Sequence, residues 1–333
     1  MISPVFAPSI GGAETVGRLL GLAWQRAGHG VTVTSRTPGP ETVDGLKVVR
    51  RPDRTTLRQL GRDHDLVFHN PFSLPARLIL RGRPQVAVFH TWIGRGGGGH
   101  PLQVAAKRMG LRFVRRVAVS RALAAHLPDP VTVIPNPFDA SLFEHPVAGE
   151  RPGDLLFLGR LVSDKGADRL PAILRILSRE RPDTRLTVTG DGPERSALET
   201  AFRAQGLADQ VTFTGILSGA PLAQALASHK VLLVPSRWEE PFGLVVLEAQ
   251  AAGCLPVVSP RGGLPEAVGT CGRIAQTDTA DDLAAMALPV LRDDSLRETL
   301  LAERKEHLAR HDPDRVAARY LALFKSAGKG GGP

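Results

Sequence analysis

The sequence predicts an α/β protein built from two doubly wound, parallel-sheet domains. Three observations carry that reading. Short apolar runs rich in β-branched residues alternate with helix-like runs along the chain. The strand-like runs are nearly continuous in apolar residues, which is how strands covered by helices on both faces look. A length of 333 residues is also enough for about two domains, each with its own core.

In chain order, strands are expected at residues 31–35, 46–50, 66–69, 86–90, 117–120 and 131–135 in the first half. In the second half they are expected at 155–159, 186–190, 211–214, 231–235 and 256–259. Helices at 13–27, 171–180, 194–204, 221–227 and 244–252 separate them, the alternation of doubly wound folds. Pro137, Pro146, Gly149, Pro152 and Gly153 break periodicity between the halves. The first domain is therefore expected over 1–145 and the second over 153–312. Val316, Tyr320, Leu321 and Phe324 at helical spacing mark a last helix over about 313–326. The glycine-rich tail 327–333 is expected to be disordered, and the glycine run 96–99 to be a mobile loop.

Hydrophobic content of 42% and charged content of 23% are ordinary for a globular protein. No run of about 18 apolar residues occurs, so no membrane-spanning helix is expected. The opening MISPVFAPSI has neither a basic start nor a long apolar stretch, so no signal peptide is expected and the chain reads as cytoplasmic. Cys254 and Cys271 show no metal-ligand spacing and read as inert thiols. Charge is uneven. Residues 1–150 hold 19 Lys/Arg against 10 Asp/Glu, whereas residues 151–333 hold 23 against 23. Such a basic half can steer an anionic lipid surface or an anionic substrate, and its plainer reading is a solvated arginine-rich surface. Aromatic content of 5% offers few stacking platforms, so no nucleic-acid partner is expected.

The most informative stretch runs from Pro235 to Ala249. An apolar strand enters a polar loop, and Pro241 is placed to open a helix, where its fixed φ suits the first turn. The N–H groups of Phe242, Gly243 and Leu244 would then face out of that helix end as an anion site. Glu240 precedes the helix and Glu248 lies within it, about 12 Å apart along the axis at roughly 1.5 Å rise per residue. That exceeds the roughly 5–10 Å of a hydrolase carboxylate pair, and suits one carboxylate at each end of an extended ligand.

Two glycine-rich turns add phosphate-binding capacity: Gly11-Gly12 before the helix at 13–27, and Gly159 to Gly166 after a strand. Arg160 and Lys165 in the second would stand at a strand's carboxyl end, where a guanidinium and an ammonium match a pyrophosphate. Gly190-Asp191-Gly192 follows another strand, but Arg195 occupies the last position of a dinucleotide fingerprint, and no P-loop is present. His307 and His311 at i,i+4 spacing lack the glutamate of a metal helix and read as surface decoration.

Together these segments resemble the family-4 retaining glycosyltransferases of the GT-B fold. The resemblance runs from about Ser3 to Tyr320. It is carried by Gly11-Gly12-Ala13-Glu14, Val119-Ser120, Ile134-Pro135-Asn136, Gly159-Arg160-Leu161 with Lys165-Gly166, Gly190-Asp191-Gly192, and the E-x7-E element Glu240 to Glu248. It implies two Rossmann-like domains facing a central cleft, an N-terminal acceptor-binding domain onto which the last helix packs back, and a C-terminal donor-binding domain. It implies a UDP-, GDP- or ADP-sugar donor with Arg160 and Lys165 at the pyrophosphate and Glu248 at the ribose. Glu240 would meet the donor sugar, with backbone N–H groups of Phe242, Gly243, Leu244 and Val245. Gly12 would offer its backbone to the distal phosphate, and Thr214 and Gly215 would lie near the base. His90, ending a strand, would contact the transferred sugar, with His69-Asn70 beside it as weaker candidates.

The activity so implied is hexosyl transfer with retention. No D-x-D element follows a strand in the second half, so neither metal nor other cofactor is expected. The acceptor is unknown; an anionic or lipid-linked one at the inner face of a membrane follows from the basic half. One departure stands out: only Met1-Ile2 precede Ser3, so the family's first strand is expected to be short or missing. The alternatives are a GT-B nucleotide-sugar epimerase, which needs no acceptor, and a non-catalytic protein binding anionic surfaces.

Overall fold

A computed structural model describes residues 1–9, 11–94, 101–144 and 151–329. The glycine run 96–99 and the end of the tail, 330–333, lie outside the described residues, as do residues 145–150 of the expected domain boundary. The chain divides into two compact units, Met1–Asp139 with Arg310–Pro333, and Ala140–Ala309. The division thus falls at Asp139/Ala140 and Ala309/Arg310 rather than at 145–153 and 312.

In the N-terminal unit the strands are β1 (Thr32–Ser35), β2 (Thr42–Val43), β3 (Leu46–Arg50), β4 (Val67–His69), β5 (Gln85–Phe89), β6 (Arg115–Ala118) and β7 (Val131–Val133). They form two sheets, β1-β3-β2 and β4-β5-β6-β7, parallel except for the β2–β3 hairpin. The N-terminal residues join them. Ile2 bridges in parallel to both Thr34 and His69. Ile2 N donates to Phe68 O at 2.7 Å, and Ser3 N donates to Thr34 O at 2.9 Å. The first strand is therefore short, and it fills the gap between the two sheets.

The helices of this unit are α1 (Gly12–Arg26), α2 (Arg54–Asp63), α3 (Leu74–Ile79), α4 (Pro101–Gly110) and α5 (Arg121–Ala124). Local chemistry starts several of them. Asp53 caps α2 by accepting from Thr56 N, Ser73 caps α3, and Ser120 caps α5. α2 went unread because it buries no residue, so it leaves no apolar stripe of full width in the sequence.

The second unit contains β8 (Gly153–Leu158), β9 (Leu186–Thr189), β10 (Val211–Gly215), β11 (His229–Val234), β12 (Leu255–Val258) and β13 (Arg273–Ile274). All pairs are parallel, in the order β10-β9-β8-β11-β12-β13. Its helices are α6 (Leu170–Glu180), α7 (Arg195–Ala204), α8 (Gly219–Ser228), α9 (Leu244–Ala251), α10 (Leu264–Val268), α11 (Ala280–Arg292), α12 (Asp294–Leu300) and α13 (Arg304–Ala309). Leu155, Phe157, Val188, Val231 and Leu233 of the strands share one core with Leu174 and Leu177 of α6 and Leu283 and Ala287 of α11. Central strands buried on both faces explain the continuous apolar runs.

α14 (Pro313–Lys329) returns to the N-terminal unit and lies against α1. Trp24 Nε1 donates to Ala317 O at 3.3 Å, and Trp24, Phe68, Tyr320 and Phe324 form one aromatic cluster with centroids 5.0 to 6.1 Å apart. The helix runs to Lys329, so residues 327–329 are helical rather than part of a disordered tail.

Candidate active site

In the second unit the first strand, β8, sits mid-sheet, with β9 and β10 on one side and β11 to β13 on the other. The crossover direction reverses between β8 and β11, and ligands of open α/β sheets bind beyond the strand ends at such a point. The loops that leave β8, β9, β11 and β12 are tied together there. Leu161 N donates to Asp191 O at 3.0 Å, and Ser163 N donates to Glu194 Oε1 at 2.6 Å. Gly190 has φ 132°, and a Cβ on it would stand 1.9 Å from Gly159 O. On Gly166, at φ 72°, a Cβ would stand 1.8 Å from Pro235 O. Both glycines are thus required for loop-on-loop packing that shapes the site, whatever binds in it.

Lys165 Nζ donates to Glu240 Oε1 at 2.5 Å, and Ser236 Oγ donates to the same oxygen at 3.1 Å. Arg237 N and Trp238 N both donate to Asp164 O, pinning the loop after β11 onto the loop after β8. Lys165 and Glu240, expected at the pyrophosphate and the sugar respectively, are therefore mutual partners. Arg160 is exposed, and its guanidinium has no partner among the described residues. Glu248 is half-buried without a polar partner among the described residues, and burial pushes its carboxyl up to about 7. Thr214 Oγ1 donates within the sheet edge, 3.0 Å from Thr189 Oγ1 and 3.0 Å from Gly215 O.

The expected helix start needs correction. α9 begins at Leu244, and Gly243 caps it with φ 107°, so Pro241 and Phe242 lie in the preceding loop. The left-handed glycine decides where the helix can begin, and it overrides the preference of proline for a first turn. The first-turn donors are those of Leu244 and Val245, and the axial spacing between Glu240 and Glu248 loses its basis because only Glu248 is helical. Sequence reasoning also missed Asp278. It accepts from Arg261 Nη2 and from Arg169 Nη2 at 3.1 Å, and these guanidiniums, Arg261 foremost, hold its carboxyl below the usual range. Arg169 also donates to Pro235 O at 3.2 Å, which fixes the loop carrying Glu240.

In the N-terminal unit, His90 directly follows β5, and Asn70 directly follows β4. Asn70 Nδ2 donates to Ala13 O in the first turn of α1 at 2.9 Å, which leaves Asn70 Oδ1 to accept from His90 Nε2 at 2.6 Å. That bond assigns the proton to Nε2 and leaves Nδ1 as an acceptor. Burial lowers the pKa of His90 to about 4, with a smaller opposing pull from Asn136, so the ring is neutral at pH 7. Asn136 Oδ1 is a buried acceptor without a partner among the described residues. Asn70, a weaker candidate by sequence, couples His90 to the turn holding Gly12. Its neighbour His69 is fully buried, bonded through Nε2 to Gln85 Oε1 at 2.8 Å, and takes a packing role. Gly12 begins α1, with the extended Gly11 as its N-cap.

His307 and His311 do not decorate the surface. Both are buried; His307 Nε2 lies 2.9 Å from Ala267 O, and His311 Nδ1 lies 3.1 Å from Asn136 O. They fall in different units because α13 ends at Ala309. Cys254 and Cys271 are buried thiols that form no disulfide, and burial pushes the Cys254 thiol up to about 12. No cluster of three or more metal-ligating side chains occurs among the described residues.

Residues 140–307 match the family described as glycosyl transferases group 1, and residues 10–142 match glycosyltransferase family 4. The chain is 31% identical over 259 residues to phosphatidyl-myo-inositol mannosyltransferase of Mycolicibacterium smegmatis, covering 74% of this chain and 66% of that one. It is 33% identical to 2-deoxystreptamine N-acetyl-D-glucosaminyltransferase of Niallia circulans, over 52% of this chain and 45% of that one. The chain thus spans under two thirds of the length of these curated relatives. Among solved structures, Anabaena HepE in complex with UDP and glucose has a TM-score of 0.79 at 19% identity over 98% of each chain. Sucrose-phosphate synthase from Thermosynechococcus elongatus has a TM-score of 0.78 at 21% identity, over 98% of this chain and 97% of that one. The fold is GT-B, with two Rossmann-like units.

Proposed function

Because the chain belongs to the glycosyl transferases group 1, we propose that it is a retaining hexosyltransferase using a nucleoside-diphosphate sugar and an acceptor hydroxyl. The observation that carries this reading is the grouping at the β8/β11 switch point. There Arg160 and the carboxyl of Glu248, both without a partner among the described residues, and the Lys165–Glu240 pair stand on loops and a helix that start from adjacent strands. Arg160 and Lys165 hold the diphosphate, and Glu248 bonds the ribose hydroxyls. Glu240, released from Lys165, takes hydroxyls of the donor sugar, with backbone N–H groups between Phe242 and Val245 beside it. Thr214 and Gly215 border the base; in the N-terminal unit, taken by itself, the Gly12 backbone and His90 Nδ1 are the groups proposed to meet a phosphate and a sugar hydroxyl.

The sugar C1–O bond to the diphosphate breaks as the acceptor oxygen bonds C1 on the same face. The acceptor proton passes to the departing diphosphate oxygen. Arg160, Lys165 and the start of α9 stabilise the charge that develops there, so no metal is required. The UDP bound in the HepE structures supports a uridine nucleotide as the first to test. Membrane association at the inner face is part of the proposal, on the strength of the basic N-terminal half.

The test is a panel of UDP-, GDP- and ADP-sugars scored by thermal shift and by slow donor hydrolysis. Arg160→Ala and Lys165→Ala should each lower turnover on the active donor about 100-fold or more, as loss of a strong transition-state donor does. Near wild-type turnover in both variants would overturn the assignment.

A further inference from the structure

The N-terminal unit contains a cavity of about 1450 Å³ that lies where β1, β3 and β4 end. Ser35 and Arg36 reach it from β1, Arg51 from beyond β3, and Phe72 and Ser73 from beyond β4. These are the carboxyl ends of parallel strands, the ligand edge of such a sheet. Its charge is one-sided. Arg36, Arg54, Arg58, Arg81 and Lys107 line it, all exposed, and none of their side chains has a partner among the described residues. Among the described residues Asp53 is the single carboxylate of the lining, and its Oδ1 is engaged in accepting from Thr56 N at 2.7 Å.

Two details make this more than a solvated surface. Arg54 is the first residue of α2 and Arg58 follows one turn later, with no acidic residue in the first turn. Arg54 there opposes the positive end of the helix dipole, an unfavourable placement that an anion in the cavity would reverse. The floor, in contrast, is apolar: Ile2, Leu57, Phe72, Leu74 and Ile79 line it, and Leu78 stands 62% exposed at its edge. An exposed apolar surface rimmed by unpaired cations matches a ligand with a charged head and a hydrocarbon segment.

We propose that this cavity binds a phosphate-bearing amphiphile, the arginines and Lys107 taking the phosphate and the Leu57–Phe72–Leu74 floor taking the apolar chain. This deepens the transferase reading by assigning the acceptor class, and rests on that reading only in calling the ligand an acceptor.

The experiment is calorimetric titration of the full chain with dihexanoyl phosphatidate, dihexanoyl phosphatidylcholine and inorganic phosphate. Phosphatidate should bind at least tenfold more tightly than either of the others. The paired substitutions R54Q/R58Q and R81Q/K107Q should each weaken it at least tenfold without lowering the unfolding midpoint. Equal binding of phosphatidylcholine, equal binding of inorganic phosphate, or phosphatidate binding unchanged in both variants would each overturn the proposal. A thermal shift with UDP is run alongside. Its absence would count against the donor reading alone and would leave the lipid titration to be judged by itself.

Discussion

Glu248 illustrates how a buried carboxyl without a protein donor costs stability. Its carboxyl has no protein donor among the described residues, and burial raises its pKa from 4.5 to about 7. Below pH 4.5 the group is neutral in both folded and unfolded chains and has no effect. As pH rises from 4.5 through 7, the unfolded chain ionises first, and stability is withdrawn; above pH 7 the loss is complete. Glu248→Gln does not titrate, so it should be more stable than wild type by about 1–3 kcal/mol at pH 8 and equal to it near pH 4. Urea midpoints at the two pH values check this. The same variant should bind UDP at least tenfold more weakly, since the amide replaces an acceptor for ribose hydroxyls. A variant neither stabilised at pH 8 nor weakened towards UDP would remove Glu248 from the site. The acidic character of this residue was legible in the sequence, whereas its lack of a partner was not, because that depends on what the rest of the fold leaves unfilled.

Strands proved more readable than helices and loops. β8, β9, β11 and β12 are buried along their lengths, so each is a short apolar run that stands out in the chain. α2 buries nothing and was invisible. The run 244–252 matches the start of α9, whereas Pro241 as its opening residue does not, because only backbone φ decides between Pro241 and Gly243. The bond from Asn70 to His90 was hidden for another reason: an asparagine after a strand has no distinguishing pattern until a second strand end is brought beside it. At this scale the glycine loops give the sharpest expectation. Gly190→Ala places a methyl group 1.9 Å from Gly159 O at φ 132°, where no flexible side chain can yield. It should cost more than about 2 kcal/mol and loosen the loop carrying Arg160. Urea unfolding measures the first effect, and weakened UDP binding at temperatures where the variant is still folded measures the second. An unchanged midpoint would mean that the two loops are not held together as described.

At the scale of the whole molecule, the excess positive charge lies in the unit carrying the amphiphile cavity: Met1–Asp139 with Arg310–Pro333 hold 24 Lys/Arg against 10 Asp/Glu, whereas Ala140–Ala309 hold 18 against 23. That unit is closed by its last helix. Tyr320 is 1% exposed and packs edge-on against Trp24 and Phe68. Tyr320→Ala should cost about 3–5 kcal/mol, the usual loss for a buried aromatic ring. The loss should fall on the N-terminal unit, seen as earlier unfolding by Trp24 and Trp92 fluorescence in a Trp238→Phe background, with the UDP-induced thermal shift retained. An unchanged transition would show that α14 is not needed to complete the core of that unit.

The chain leaves the N-terminal unit at Asp139 and comes back to it at Arg310, and this sets a schedule for its birth on the ribosome. The Trp24–Ala317 hydrogen bond spans 293 residues. At roughly 5–20 residues per second, Trp24 and Phe68 wait about 15–60 s after their own synthesis for the helix that covers them. The second unit is contiguous and can finish folding first. The half made first is therefore the half completed last, and throughout that interval its nascent apolar face is open to chaperones.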